Sequence, residues 1–194
     1  MQLLEDATIT LQRSDLKRYP IFQGGTFDVR QPGLHVSGIL KEVAIQLKLF
    51  DAAKEMEDEA IPFKWALGLA WEEFACSMYR DTLWQPGAIE VDGIWMTSDG
   101  LTPTRLDEFK LTWKKVMAGA QFIDPQYNWY YLTQGRAYCK GYEVDTVTWH
   151  VAYVNGDYKG SGPIYKRFTV KFTEAEIENN WKMILNHRHL GVPE

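Results

Sequence analysis

Between residues 35 and 50 the apolar positions Ile39, Leu40, Val43, Ala44 and Leu47 recur at steps of three and four. That period lays them on one helix face, and Ser37 is a good N-cap, so the pattern predicts a first helix over about 38–49. A second helix is expected to begin at Pro62, a residue favoured in a first turn. It runs through FKWALGLAWEEFACSMYRDTLW to about Arg80.

The period then shortens to two. AIEVDGIWMTSDGL alternates and then turns, and RLDEFKLTW follows across a short loop containing Pro103, a pattern that predicts a hairpin. A third helix, about 123–139, passes through Pro125 and QYNWYYLTQGRAY. VDTVTWHVAYV is rich in β-branched and aromatic residues, NGDY offers a turn at Asn155 and Gly156, and PIYKRFTVKFT returns as the partner strand.

The C-terminal helix, 173–190, carries the strongest signals. Thr173 and Glu176 form a capping box, Ile177, Trp181, Ile184 and Leu185 share a face, and Gly191 follows. Residues 1–34 mix short apolar runs with Pro20, Gly24, Gly25, Pro32 and Gly33 and read as an irregular arm. The order ααββαββα predicts an α/β (α+β) fold with a mixed central sheet flanked by helices.

Composition narrows the classes. A chain of 194 residues, 45% hydrophobic and 14% aromatic, suits a single domain over 1–194. Its net charge of −5 repels polyanions on average, so a nucleic-acid site requires a local basic patch or a metal. Only Cys76 and Cys139 are present, without metal-ligand spacing, which argues against zinc, an iron–sulfur cluster or a disulfide scaffold and reads as cytoplasmic. Charges interrupt the first apolar run and no window approaches 18 uninterrupted apolar residues, so neither a signal peptide nor a membrane span is expected.

The candidate chemistry lies in RLDEFKLTW. Strand alternation points Glu108 and Lys110 one way and Phe109 and Leu111 the other. A charge pair explains this much, but Asp99 stands nine positions before Glu108, and a hairpin of that length brings the two carboxylates together. Converging carboxylates repel unless a cation sits between them. Oxygen ligands suit magnesium or manganese, and a lysine beside them can orient or deprotonate a metal-bound water.

The pattern of Asp99 followed by Glu108, Phe109 and Lys110 resembles the core motif of the PD-(D/E)XK nucleases. GLAWEEFACSMY, with Gly68 four before Glu72 and then Ala75 and Tyr79, is similar to the G-xxx-E helix of the RecB-like and lambda-exonuclease-like branches. QGRAY, from Gln134 to Tyr138, resembles their Q-xxx-Y motif. The likeness spans about 35–140, and Ser98 stands where the family name implies proline, a position that makes no necessary chemical contact.

The resemblance implies a restriction-endonuclease-like core and a Mg2+- or Mn2+-dependent deoxyribonuclease, more an exonuclease of phage or recombination type than an endonuclease. Asp99, Glu108, the Phe109 carbonyl and Glu72 would hold one or two ions, and Lys110 would position the water. Gln134 and Tyr138, four apart on one helix face, would hold substrate or a ligating carboxylate. Glu72 has apolar neighbours at three and four, where a carboxylate is costly without a cation; Glu73, nearer the rim, is the second choice.

DNA is the implied partner, with a homo-oligomer or a recombination protein as further ones, in a bacterial or phage-infected cell. The other class left open is a nuclease-fold module that binds DNA or a protein without cutting. Lys114, Lys115, Arg136 and Lys140 are candidate phosphate contacts. His35 and the HRH run at 187–189 read as structural or as a charged helix end, and the rings of NWYY and VTWHVAYV as core before base-stacking platforms.

Overall fold

The computed structural model describes residues 1–9, 31–49, 61–79, 81–154 and 163–191, and of 61–66 the backbone alone. The NGDY turn, Arg80 and most of the N-terminal arm lie outside the described residues. In chain order the elements are β1 (Gln2–Ile9), β2 (Leu34–His35), α1 (Val36–Gln46), α2 (Ile61–Ser77), β3 (Leu83–Trp84), β4 (Ile89–Val91), β5 (Ile94–Met96), β6 (Gly100–Leu101), β7 (Leu106–Thr112), α3 (Gly119–Phe122), α4 (Pro125–Tyr142), β8 (Thr146–Tyr153), β9 (Ile164–Lys171) and α5 (Glu174–His187), closed by a 3-10 turn at Arg188–Leu190.

The main sheet has the order β1-β9-β8-β7-β6-β3, and a second sheet has the order β2-β5-β4. β7 and β8 are parallel in continuous register from Leu106↔Val147 to Thr112↔Tyr153, while the other neighbours in the main sheet are antiparallel. Parallel neighbours need a crossover, and α4 supplies it. The mixed sheet and its flanking helices agree with the sequence.

Strand alternation divides the molecule into two layers. Leu106 of β7, Val147, Trp149, Val151 and Tyr153 of β8, and Phe168 and Val170 of β9 face the large core under α1, α4 and α5. Phe109 faces the other way, into a small cluster with Ala75 and Cys76 of α2. Gly135 lets α4 lie close to the sheet, because a Cβ there would stand 2.5 Å from the Trp149 ring.

The capping box of α5 forms as expected, with Thr173 Oγ1 accepting from Glu176 N at 3.3 Å and Glu176 Oε2 accepting from Thr173 N at 2.9 Å. The first helix differs at its start: His35 is the N-cap, without a side-chain cap bond, and Ser37 lies inside α1. Strand β2 runs directly into the helix and sets its entry, displacing the expected cap.

Two further expectations are corrected. The N-terminal arm is not irregular throughout, because Gln2–Ile9 is a full strand pairing with β9. Its charges are those of an edge strand with partners: Glu5 accepts from Arg167 Nε at 2.9 Å, and Asp6 pairs with Lys166 and accepts from Gly119 N at 2.7 Å. The single hairpin expected over 88–113 is two. β4 and β5 close their own hairpin over Asp92 and Gly93, both at positive φ, the turn that an Asp-Gly pair favours. The chain then passes into the main sheet, where β6 meets β7. The order ααββαββα thus omits β1, β2, β3 and the split of the middle strands.

Candidate active site

The site forms where the main sheet splits. β6 pairs with β7 only through Gly100↔Asp107 and Leu101↔Leu106, so among the described residues no strand lies beside that edge of β7 from Glu108 onward. Asp99, the residue before β6, takes over part of the ladder: its Oδ2 accepts from Phe109 N at 2.8 Å. A residue's N–H and C=O leave a strand on the same side, so the Phe109 carbonyl also faces this edge.

Lys110 donates from Nζ to Asp99 Oδ2 and to Glu108 Oε2, each at 2.9 Å. Glu108 is only 1% exposed. Burial and the Asp99 charge push its carboxyl up to about 7, against the pull of Lys110 and Ser98. For Lys110 burial disfavours the charge, but Asp99 and Glu108 outweigh it and hold the ammonium well above the ordinary lysine range.

Glu72 reaches the cluster from α2, on the opposite face of the sheet. Burial and the Asp99 charge push it up to about 7 as well. Its Oε1 accepts from Trp84 Nε1 at 3.1 Å and Gln85 Nε2 at 3.4 Å, and Gln85 N donates to the Asp99 carbonyl at 3.0 Å. Gln85 therefore ties Glu72 to Asp99, a link between segments that one sequence does not display. Among the described residues no three His, Cys, Asp or Glu side chains stand close enough to enclose a metal ion as placed.

Ser98 corrects the expectation that its position makes no necessary contact. It is fully buried, and its Oγ lies 2.9 Å from Gly100 O and 3.0 Å from Glu108 Oε1. Tyr142 of α4 accepts from Ser98 N at 3.1 Å and donates to Gly87 O at 2.8 Å. Three groups thus hold the approach to Asp99 and Glu108.

α4 covers the Glu108 face. Gln134 Nε2 donates to Tyr138 OH at 2.9 Å, so the amide and phenol bond each other, and Tyr138 keeps its own proton to donate. Burial raises Tyr138 and Tyr131, and both feel the charges of Glu108, Asp99 and Lys110. Tyr131, one turn before Gln134, reads in the sequence with the NWYY rings as core and not as part of the site; its spacing of three and seven from Gln134 and Tyr138 was the signal.

The four candidate phosphate contacts separate. Lys114 and Lys115 are exposed just past β7. Arg136 and Lys140 turn away: Arg136 lies over the Phe172 ring at 5.0 Å, and Lys140 pairs with Glu178 at 2.6 Å. The i+2 and i+6 positions from Gln134 fall on another helix face, toward α5.

Asp107, on the opposite face of β7, was not singled out either. It is fully buried, and it accepts from Thr82 Oγ1 at 2.7 Å, Arg105 Nε at 3.2 Å and His150 Nε2 at 3.1 Å. Burial alone would raise its carboxyl, but these donors hold it below the usual aspartate range. Burial also keeps His150 neutral, so its Nε2–H faces Asp107 and its Nδ1 accepts from Tyr165 OH at 2.7 Å. Tyr165 in turn accepts from Tyr79, just beyond α2. One buried chain of hydrogen bonds thus joins β7 to the helix that carries Glu72.

No family model matches the chain, and no curated protein matches it in sequence. Among solved structures, a phage-related exonuclease from Haemophilus somnus 129PT superposes with a TM-score of 0.50 at 12% identity, over 78% of this chain and 78% of that one. An alkaline exonuclease from Laribacter hongkongensis aligns with a TM-score of 0.38 at 15% identity, over 81% of this chain and 88% of that one. The chain shares the fold of that phage-related exonuclease, a central mixed sheet flanked by helices.

Proposed function

We propose that the chain is a metal-dependent deoxyribonuclease that hydrolyses DNA phosphodiester bonds from strand ends. The observation that carries this reading is the Lys110 ammonium, 2.9 Å from both Asp99 and Glu108 at an open strand edge. The fold it shares with a protein named as a phage-related exonuclease supports the same reading.

The donor set fits magnesium or manganese. Asp99 and Glu108 share one ammonium, Glu72 feels the charges of Asp99 and Lys110, and both glutamates are pushed up to about 7 by burial and by the Asp99 charge. Excess negative charge among oxygen donors in a low-dielectric setting is what a hard divalent cation relieves. Asp99, Glu108, the Phe109 carbonyl and Glu72 would hold it. When bound, such an ion polarises the scissile phosphate and lowers the pKa of its water.

The chain's own groups supply the rest. Lys110, bonded to both carboxylates, is placed to orient the attacking water and to offset charge on the phosphate. Tyr138, held by Gln134, donates toward a substrate oxygen or a ligating carboxylate. Ser98 and Gln85 fix Glu108, Asp99 and Glu72 relative to one another, and Lys114 and Lys115 meet phosphates beyond the scissile bond.

The test is digestion of end-labelled linear and closed circular DNA, single- and double-stranded, with magnesium or manganese, by wild type and Lys110→Ala. Metal-dependent loss of linear DNA that the variant lacks, with circles intact, is the expected result. Cleaved circles would make the protein an endonuclease. No cleavage by folded, metal-binding protein would leave a non-catalytic DNA- or partner-binding module.

A further inference from the structure

Two of the clefts outside the carboxylate cluster lie at opposite ends of α4, and their charge differs. The larger, about 1030 Å³, sits at the C-terminal end of α4 and mixes both signs, with Glu143, Asp145, Glu174 and Glu178 beside Arg105, Lys140 and Lys171. The second, about 500 Å³, lies at the start of α4, within the usual size range of small-ligand sites. Among the described residues its wall carries Lys41 and Lys114, the rings of Tyr127, Trp129, Tyr130 and Tyr131, and no carboxylate.

We infer, resting on the nuclease reading, that this groove receives a single-stranded DNA segment and leads it to Lys110, with bases stacking on Tyr127 and Trp129 and phosphates met by Lys41 and Lys114. In a chain of net charge −5, a cavity with two lysines and several flat rings suits a strand that offers both phosphates and π-faces. Tyr127 is 57% exposed, so a face of its ring is open to a base.

The groove is built, and its wall adjoins the site's own elements: Lys114 follows β7, the strand of Lys110, and Tyr131 stands one turn before Gln134 on α4. Tyr130 OH donates to Ser37 O at 3.3 Å and fixes α4 against α1. Asn128 leaves helical geometry inside α4, at φ −141 and ψ 34, and its Nδ2 donates to Phe122 O at 3.1 Å. This kink lies in the wall itself, where a local departure from helix geometry often marks function. Tyr131 lines the groove and also feels the charges of Lys110, Asp99 and Glu108.

The experiment uses the full chain in a Lys110→Ala background with chelator, so that nothing is cut. Fluorescence anisotropy measures binding of a labelled single-stranded oligonucleotide and of a blunt duplex. Adding Tyr127→Ala is expected to weaken single-strand binding about tenfold, and adding Lys114→Ala to flatten its salt dependence by about 0.7 in log–log slope. Lys171→Ala, at the other cleft, leaves both unchanged. Single-strand binding untouched by Tyr127→Ala and Lys114→Ala, or an equal loss on the duplex, would overturn the inference. Cleavage by wild type is scored separately: binding through the groove without cleavage refutes the nuclease reading alone, and Lys110-dependent cleavage with an indifferent groove refutes this inference alone.

Discussion

Asp107 and Glu108 are adjacent, buried acids on one strand, and the structure treats them in opposite ways. Asp107 has Thr82, Arg105 and His150 as donors and is held below the usual aspartate range. Glu108 has Lys110 and Ser98, yet burial and Asp99 push it up to about 7. The difference lies in balance, not burial. A buried carboxylate with enough donors is part of the scaffold, whereas one forced against another carboxylate is a site that lacks positive charge.

The largest effect expected is on the Glu108 side. Lys110→Ala should lower cleavage by about 10³-fold, measured on end-labelled DNA, while the chain still unfolds cooperatively, because Glu108 can take up a proton. An unfolded variant would erase the contrast by making Lys110 part of the scaffold. Next, Asp107→Ala should cost about 3 kcal/mol of stability, read from the urea midpoint, since it strands the Thr82 and His150 partners. A loss below about 1 kcal/mol would show that the Asp107 network is not the scaffold described here.

Ser98→Ala tests the boundary between the two acids. Removing one hydrogen bond to Glu108 should cost about 1 kcal/mol and lower cleavage about tenfold; unchanged kinetics would take Ser98 out of the site. The smallest effect lies at the sheet edge, where Glu5 is a third, surface acid with a partner. The Arg167 hydrogen bond holds it below its ordinary 4.5, so its stabilisation is full above about pH 4.5 and drains as pH falls through the lowered value. Protection of the β1 amides, corrected for the intrinsic exchange rate at each pH, should fall in that acid window, and Arg167→Ala should abolish that component.

What sequence could reveal follows from what is local. The helices, the α5 capping box, and the shared face of Glu108 and Lys110 depend on spacing along one segment, and they were legible. Strand β1 was not, because Glu5 and Asp6 look like loop charges until Arg167 and Lys166 arrive from the far end of the chain. Gln85, Ser98 and the His150 network act across segments, and no local period encodes such contacts. Arg136 and Lys140 were misplaced because nearness in sequence was read as nearness in space; two steps along a helix turn a side chain to another face.

The parallel pairing of β7 with β8 has a consequence for how such sites can be found. A chain that lays β8 beside β7 in the same direction must travel back across the sheet, and α4 is that return path. It lies over the Glu108 face, so Gln134 and Tyr138 follow Lys110 in the chain for a topological reason, whatever the residues between them. Motif order is then a property of the path through the fold. A search for an acid-x-lysine strand followed by a crossover helix with a polar stripe would track geometry where sequence alignment has nothing left to hold.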